Sequence, residues 1–134
     1  MEEHPDIVVL QVGVNDVWHR FTEGVIVSPD QFRRNYTELV SRLKATGARV
    51  IAMQPFVLRM GDKPRLRPTL ETFNAIIGEI ALKEQIALIP VDEIFMGVTQ
   101  DVRPDEFALD GVHPTHHGCR YLADLVIKEL KKSF

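Results

Sequence analysis

The chain holds a single cysteine, Cys119, among its 134 residues. No internal disulfide can form, and a small disulfide-stapled scaffold is excluded. Long hydrophobic runs are absent as well. After the acidic opening Met1-Glu2-Glu3-His4-Pro5 the first apolar run is about six residues, well short of a signal-peptide core or a membrane span. The formal charge of -3 gives no basic footprint for nucleic acid, and no lysine or arginine run marks a membrane surface. Lys131-Lys132 needs no partner, because cations favour the negative end of a helix dipole. These absences predict no nucleic-acid partner and no membrane. They predict a cytoplasmic location for the sequence as given, with secretion open if a segment carrying a signal peptide precedes Met1. Serine is scarce too, with Ser28, Ser41 and Ser133 the only three.

What is present is ordinary for a globular protein: 45% hydrophobic and 26% charged residues. The length suits a single domain, 1–134, with a sizeable core. Strand and helix patterns alternate. Ile7–Val12 is a nearly continuous apolar run, as in a strand buried on both faces of a parallel sheet. Ser28-Pro29-Asp30 opens a helix whose apolar face is Phe32, Tyr36, Leu39, Val40 and Leu43, and Gly47 ends it. Arg49–Met53 reads as a second strand, stopped by Pro55, with an Arg- and Pro-rich loop from Phe56 to Pro68. Leu70, Phe73, Ile76, Ile77 and Ile80 mark a helix, Ile86–Val91 a third strand and Asp92–Met96 a short helix. Cys119, Leu122, Leu125, Val126 and Leu130 give the last helix its apolar side. This order predicts an α/β fold with a three-stranded parallel sheet, right-handed crossovers and helices on both faces. Ligands in such sheets collect beyond the carboxyl ends of the strands. Gly13-Val14-Asn15-Asp16, Gln54-Pro55 and Asp92 all fall at such ends.

Two segments carry chemistry. Gly13 permits a sharp turn, and Asn15, on a loop leaving the strand, can offer a side-chain N–H to a developing oxyanion. Asp16 is expected to clip the turn by accepting backbone N–H groups. In Asp110-Gly111-Val112-His113-Pro114, a carboxylate three residues before a histidine can fix its tautomer and stabilise the imidazolium. Pro114 holds His113 out of the helical region. Either motif alone also suits a plain turn or helix start.

Taken together and in order, Gly13-Val14-Asn15-Asp16 and Asp110-Gly111-Val112-His113 resemble the G-x-N-D and D-x-x-H blocks of the SGNH (GDSL) ester hydrolases. The resemblance covers essentially the whole chain. It implies a three-layer, flavodoxin-like fold, here partial, with this chain starting just before the family's third strand. It further implies His113 as general base, Asp110 as its partner, Asn15 and Gly13 at the oxyanion site, no cofactor and a small-molecule ester substrate. The family's Gly-Asp-Ser nucleophile block has no counterpart. Ser28 stands at an N-cap position, Ser41 is mid-helix and Ser133 is terminal. The chain alone is therefore expected to be inactive, a C-terminal portion whose serine lies in a missing N-terminal segment.

Two other readings stay open. One is a non-catalytic binding or self-assembling domain, and a homodimer through the Ile7–Val12 strand edge is expected, because unpaired apolar edges associate. The other is a metal site at His113, His116 and His117, against which stands the break that Pro114 makes in helical spacing. Cys119 reads as a small buried thiol. Trp18 serves either as pocket wall or as core. Arg59, Lys63, Arg65 and Arg67 are expected on a solvated loop, with an anionic or sugar-bearing substrate as the alternative.

Overall fold

The computed structural model describes residues 3–22, 24, 26–100 and 102–132, the side chains of 20–22 excepted. Its elements run β1 (Ile7–Leu10), α1 (Val14–Thr22), α2 (Pro29–Ala45), β2 (Arg49–Met53), a 3-10 turn (Lys63–Leu66), α3 (Arg67–Glu84), β3 (Ala87–Ile89), α4 (Val91–Val98), a second 3-10 turn (Pro104–Glu106) and α5 (His116–Lys131). The strands form one parallel sheet in the order β1-β2-β3, with Val8 opposite Val50 and Ala52 opposite Leu88. Two crossovers of the same hand that advance in one direction lie on one face of the sheet, which puts α2 and α3 together.

β2 is central, and its alternate side chains divide the core. Val50 and Ala52 join Phe32, Tyr36, Val40, Leu70, Phe73 and Ile77 beneath α2 and α3. Ile51 and Met53 join Ile89, Phe95 and Phe107 on the other face, covered in part by Tyr121, Leu122, Leu125 and Val126 of α5. This is the period of two expected of a strand buried on both faces. Phe32 stacks on Phe73 with ring centroids 4.1 Å apart, locking α2 to α3. The Tyr36 hydroxyl is buried without a hydrogen-bond partner, and burial pushes its pKa up to about 12. β1 is less protected: among the described residues it pairs only with β2, and Val9 is 41% exposed.

Several boundaries differ from the sequence reading. β1 stops at Leu10 rather than Val12, and the Gln11 side chain instead donates to the Gln54 carbonyl at 3.1 Å. β3 is Ala87–Ile89 rather than Ile86–Val91. Pro90 has no N–H for a ladder, and its carbonyl accepts from Ile94 at 3.0 Å as α4 begins. Gly13-Val14-Asn15-Asp16 does not remain a loop, because α1 begins at Val14 and buries Val17 completely. Ser28 caps α2 as expected, accepting from the Gln31 N–H at 3.1 Å. Ser41 is exposed on α2 and Ser133 lies outside the described residues. No helix among the described residues is long and apolar enough to cross a membrane.

Candidate active site

The His113 loop is built largely from its own hydrogen bonds. Asp110 Oδ1 accepts the backbone N–H groups of Val112 at 3.0 Å and His113 at 2.8 Å. Its Oδ2 lies 2.7 Å from His113 Nδ1. An ionised carboxylate only accepts, so Nδ1 carries a proton, and in the neutral ring it is Nε2 that keeps the lone pair. Partial burial pushes the Asp110 carboxyl up, but the His113 ring, the two backbone donors and the histidine's charge outweigh it and bring the pKa down to about 2. The His113 side chain is 64% exposed.

Neighbouring segments fix this loop in place. The Leu109 N–H donates to the His113 carbonyl at 2.8 Å, and Thr115 N–H donates to the Phe107 carbonyl at 2.9 Å. Thr115 also caps α5, accepting from Gly118 N–H at 3.0 Å. Gly118 must be glycine, since a Cβ there would lie 2.1 Å from the Phe107 carbonyl oxygen. Gly111, at φ +97°, donates no side chain to a crowded spot: a Cβ would stand 3.1 Å from the Leu58 carbonyl and 3.2 Å from Lys63 Cγ. Its own carbonyl accepts the Leu58 N–H at 2.8 Å.

The Asn15 segment is positioned by another route. Gly13, at φ +127°, turns the chain between the Phe32 ring and Pro55, where a Cβ would meet both at 3.3–3.4 Å. Asn15 then sits exposed in the first turn of α1, and Asp16 beside it places a negative charge at the favourable end of the helix dipole. The expected turn clip at Asp16 is thus replaced by a helix start. Trp18, one turn beyond Asn15 on the same helix face, brings its ring to 5.8 Å from that of His113. The two motifs therefore converge. A cavity of about 90 Å³ between them is lined by Gln11, Val12, Val14, Pro55, Phe56, Val112 and Pro114.

The basic segment is less solvated than its composition suggested. Phe56, Val57 and Leu58 are buried. Arg67 opens α3 and forks onto Asp92, with Nη1 to Oδ1 at 3.0 Å and Nη2 to Oδ2 at 2.6 Å. The same pair serves Val57, whose N–H donates to Asp92 Oδ1 at 3.1 Å and whose carbonyl accepts from Arg67 at 2.6 Å. The hydrogen bond to Asp92 drives the Arg67 pKa further up against the cost of burial. Asp92 is thus a buried structural partner rather than a group free at a strand end. Arg59 and Arg65 are exposed, while Lys63 lies over the Trp18 ring, 4.6 Å from its centroid. An arginine and an aspartate 25 positions apart gave no local signal of this pairing.

The remaining histidines have other neighbours. His116 and His117 open α5, and the His117 ring packs 5.0 Å from Phe107. Among the described residues no group of three or more His, Cys, Asp or Glu side chains is arranged to hold a metal ion. Cys119 is exposed, correcting the expectation of a buried thiol. Gly118 takes the inward position of that first turn, and Tyr121, Leu122 and Leu125 carry the packing further along.

Residues 2–121 match the model of the GDSL-like lipase/acylhydrolase family. The chain is 26% identical over 132 residues to an acetylxylan esterase from Geobacillus stearothermophilus, covering 96% of this chain and 60% of that protein. It is 29% identical over 133 residues to an arylesterase from Vibrio mimicus, covering 98% of this chain and again 60% of the relative. The chain thus spans about 60% of the length of these relatives. A crystal structure of the Geobacillus esterase superposes with a TM-score of 0.82 at 25% identity, covering 94% of this chain and 59% of that one. Solved forms of that esterase include catalytic mutants in which a serine near its start, an aspartate, or a histidine three positions after that aspartate is replaced by alanine.

Proposed function

This chain belongs to the GDSL-like lipase/acylhydrolase family, and from that premise we propose that the complete protein hydrolyses esters with a serine supplied from outside this segment. The observation that carries the reading is the 2.7 Å contact between His113 Nδ1 and Asp110 Oδ2. It leaves Nε2 as the proton acceptor at an exposed rim. His113 takes the proton of the serine hydroxyl as that oxygen attacks the ester carbonyl, and then returns it to the departing alcohol. Asp110 holds the tautomer and stabilises the imidazolium. Asn15 donates to the oxyanion of the tetrahedral intermediate, and Gly13 shapes the turn that presents it. Water then releases the acyl group by the same base. The catalytic aspartate and histidine of the Geobacillus relative, three positions apart, support the assignment by their spacing.

Among the described residues no serine takes the nucleophile's part. The Ser28 hydroxyl caps α2, Ser41 is exposed in mid-helix and Ser133 is outside the described residues. On this reading the segment alone is expected to be inactive, and turnover needs a serine from outside it. A fluorophosphonate probe is expected to leave it unlabelled at neutral pH. With the serine-bearing segment of the Geobacillus relative supplied in front, turnover of p-nitrophenyl acetate is expected, and His113→Ala should nearly abolish it. Near-normal turnover in that variant, or labelling of the isolated chain at Ser28 or Ser41, overturns the assignment.

The exposed Val9 and the unpaired outer side of β1 favour a second reading for the isolated chain: a homodimer in which two such edges meet or cover one another. Light scattering at high micromolar concentration should give the dimer mass, and Val9→Lys should give a monomer. A wild-type monomer at that concentration removes the idea.

A further inference from the structure

Asp110 holds the His113 backbone through its N–H but restrains the ring at one atom only, Nδ1. A single hydrogen bond at Nδ1 leaves the imidazole able to swing about the bond, and the side chain is 64% exposed. The other restraint on the ring is Trp18. Its indole lies with its centroid 5.8 Å from the imidazole and its plane inclined at 57°. Trp18 is also packed against the core beneath α2 and α3, so the surface it offers His113 is anchored from behind. A third residue closes the arrangement. Lys63 places its ammonium 4.6 Å from the indole centroid, and its stem passes beside Gly111 of the His113 loop. The Lys63 side chain is only 13% exposed, and its carboxylate neighbour Asp62 is 3.6 Å away, beyond hydrogen-bond distance. A partly desolvated ammonium gains most from an aromatic face in that setting.

We propose that Trp18 is a positioning residue that seats the His113 imidazole, and that Lys63 pins the indole in place while bracing the loop at Gly111. The inference rests on the reading of His113 as the base. Because Trp18 lies one helical turn from Asn15, the seat also sets the base against the oxyanion donor: α1 carries the donor and the wall for the base as one rigid piece. Tryptophan serves better than an aliphatic residue here, since one flat ring can meet the imidazole and an ammonium together.

Trp18 is the chain's only tryptophan, so its contacts can be read without ambiguity by NMR on the isolated chain with labelled histidine. Wild type should show cross-relaxation between indole protons and the His113 ring, an upfield displacement of those imidazole protons, and a Nδ1–H resonance slowed in exchange. Trp18→Leu should lose the displacement and broaden the Nδ1–H resonance, while the Val112 and His113 backbone amides held by Asp110 keep their shifts. Trp18→Phe should restore most of the signal, and Lys63→Met should reduce the displacement without abolishing it. A wild-type spectrum with no indole–imidazole contact overturns the seat, as does an unchanged Nδ1–H resonance in Trp18→Leu. If Trp18→Leu does not fold, the wild-type contacts and Lys63→Met decide. Failure of His113 as base is a separate outcome, read from turnover by His113→Ala in the serine-completed enzyme.

Discussion

Asp110 accepts three hydrogen bonds from within the four residues Asp110–His113, so the histidine loop carries most of its own geometry. The Asn15 segment has no such device. Its position comes from a left-handed glycine wedged between Phe32 and Pro55 and from a short helix that buries Val17. One half of the candidate site is set by local hydrogen bonding, the other by packing against residues far along the chain. A short hydrogen-bonded turn tolerates change in its surroundings but not in its acceptor. A packed segment tolerates change in its polar side chains but not in the space around its turn.

The largest separation between the two halves is expected in catalysis, with the serine-bearing segment supplied. Asp110→Asn keeps the shape of the side chain but can present the wrong tautomer of His113, and loss of about four decades in kcat is the scale for a triad carboxylate. Under the proposed roles Asn15→Ala removes one donor and leaves the base untouched, with an expected loss of roughly two to three decades. Equal losses in the two variants would erase the distinction between a residue that governs the base and one that adds a single donor. Rates on p-nitrophenyl acetate provide the measurement.

That contrast also explains what the sequence made legible. Asp110 and His113 are three residues apart, and their interaction needs nothing distant, so the motif read as it stands in the structure. The strand–helix alternation was equally legible, because Val50, Ile51, Ala52 and Met53 form an uninterrupted apolar run and α2 shows its face at helical spacing. The start of α1 was not. Asn15-Asp16 has the residue types of a turn, and the apolar Val14, Val17 and Trp18, which do fit a helix, are few. The buried stretch Phe56–Leu58 was hidden for a different reason. The backbone of Val57 at its centre is satisfied by Arg67 and Asp92, which are brought together only by the folded sheet. Cys119 misled because its place in an apolar series says nothing of Gly118 beside it, which the Phe107 carbonyl forces inward.

A stability experiment tests whether the histidine loop depends on outside support after all. Gly118→Ala would set a Cβ 2.1 Å from a backbone oxygen, and neither the helix nor the Phe107 turn can give way cheaply. The expected cost is about 3 kcal/mol, at the upper end for overpacking, seen as a lower urea midpoint with an unchanged slope. A variant as stable as wild type would mean that α5 and the Phe107–Thr115 segment are joined loosely.

The smallest effect expected is also the one most specific to the histidine half. Burial raises the Asp110 carboxyl, but its bonds to the His113 ring and to the backbone of His113 and Val112 lower it further, to about 2 from an ordinary 3.8. A carboxyl depressed by folding binds its proton less readily in the folded chain than in the unfolded one. Its contribution to stability is therefore complete above about pH 3.8 and disappears as pH falls from there through about 2. The side chain is 36% exposed, and solvent screening keeps the contribution under about 1 kcal/mol. Melting temperatures of wild type and Asp110→Asn should differ above that window and draw together within it, because the amide has no proton to take up. Asn15→Ala should instead run parallel to wild type over the same range, since it leaves every hydrogen bond of the histidine loop in place. A gap between wild type and Asp110→Asn that stays constant down to pH 2 would mean that the carboxylate's three bonds contribute nothing to holding the loop, and that its order comes, like that of Asn15, from packing.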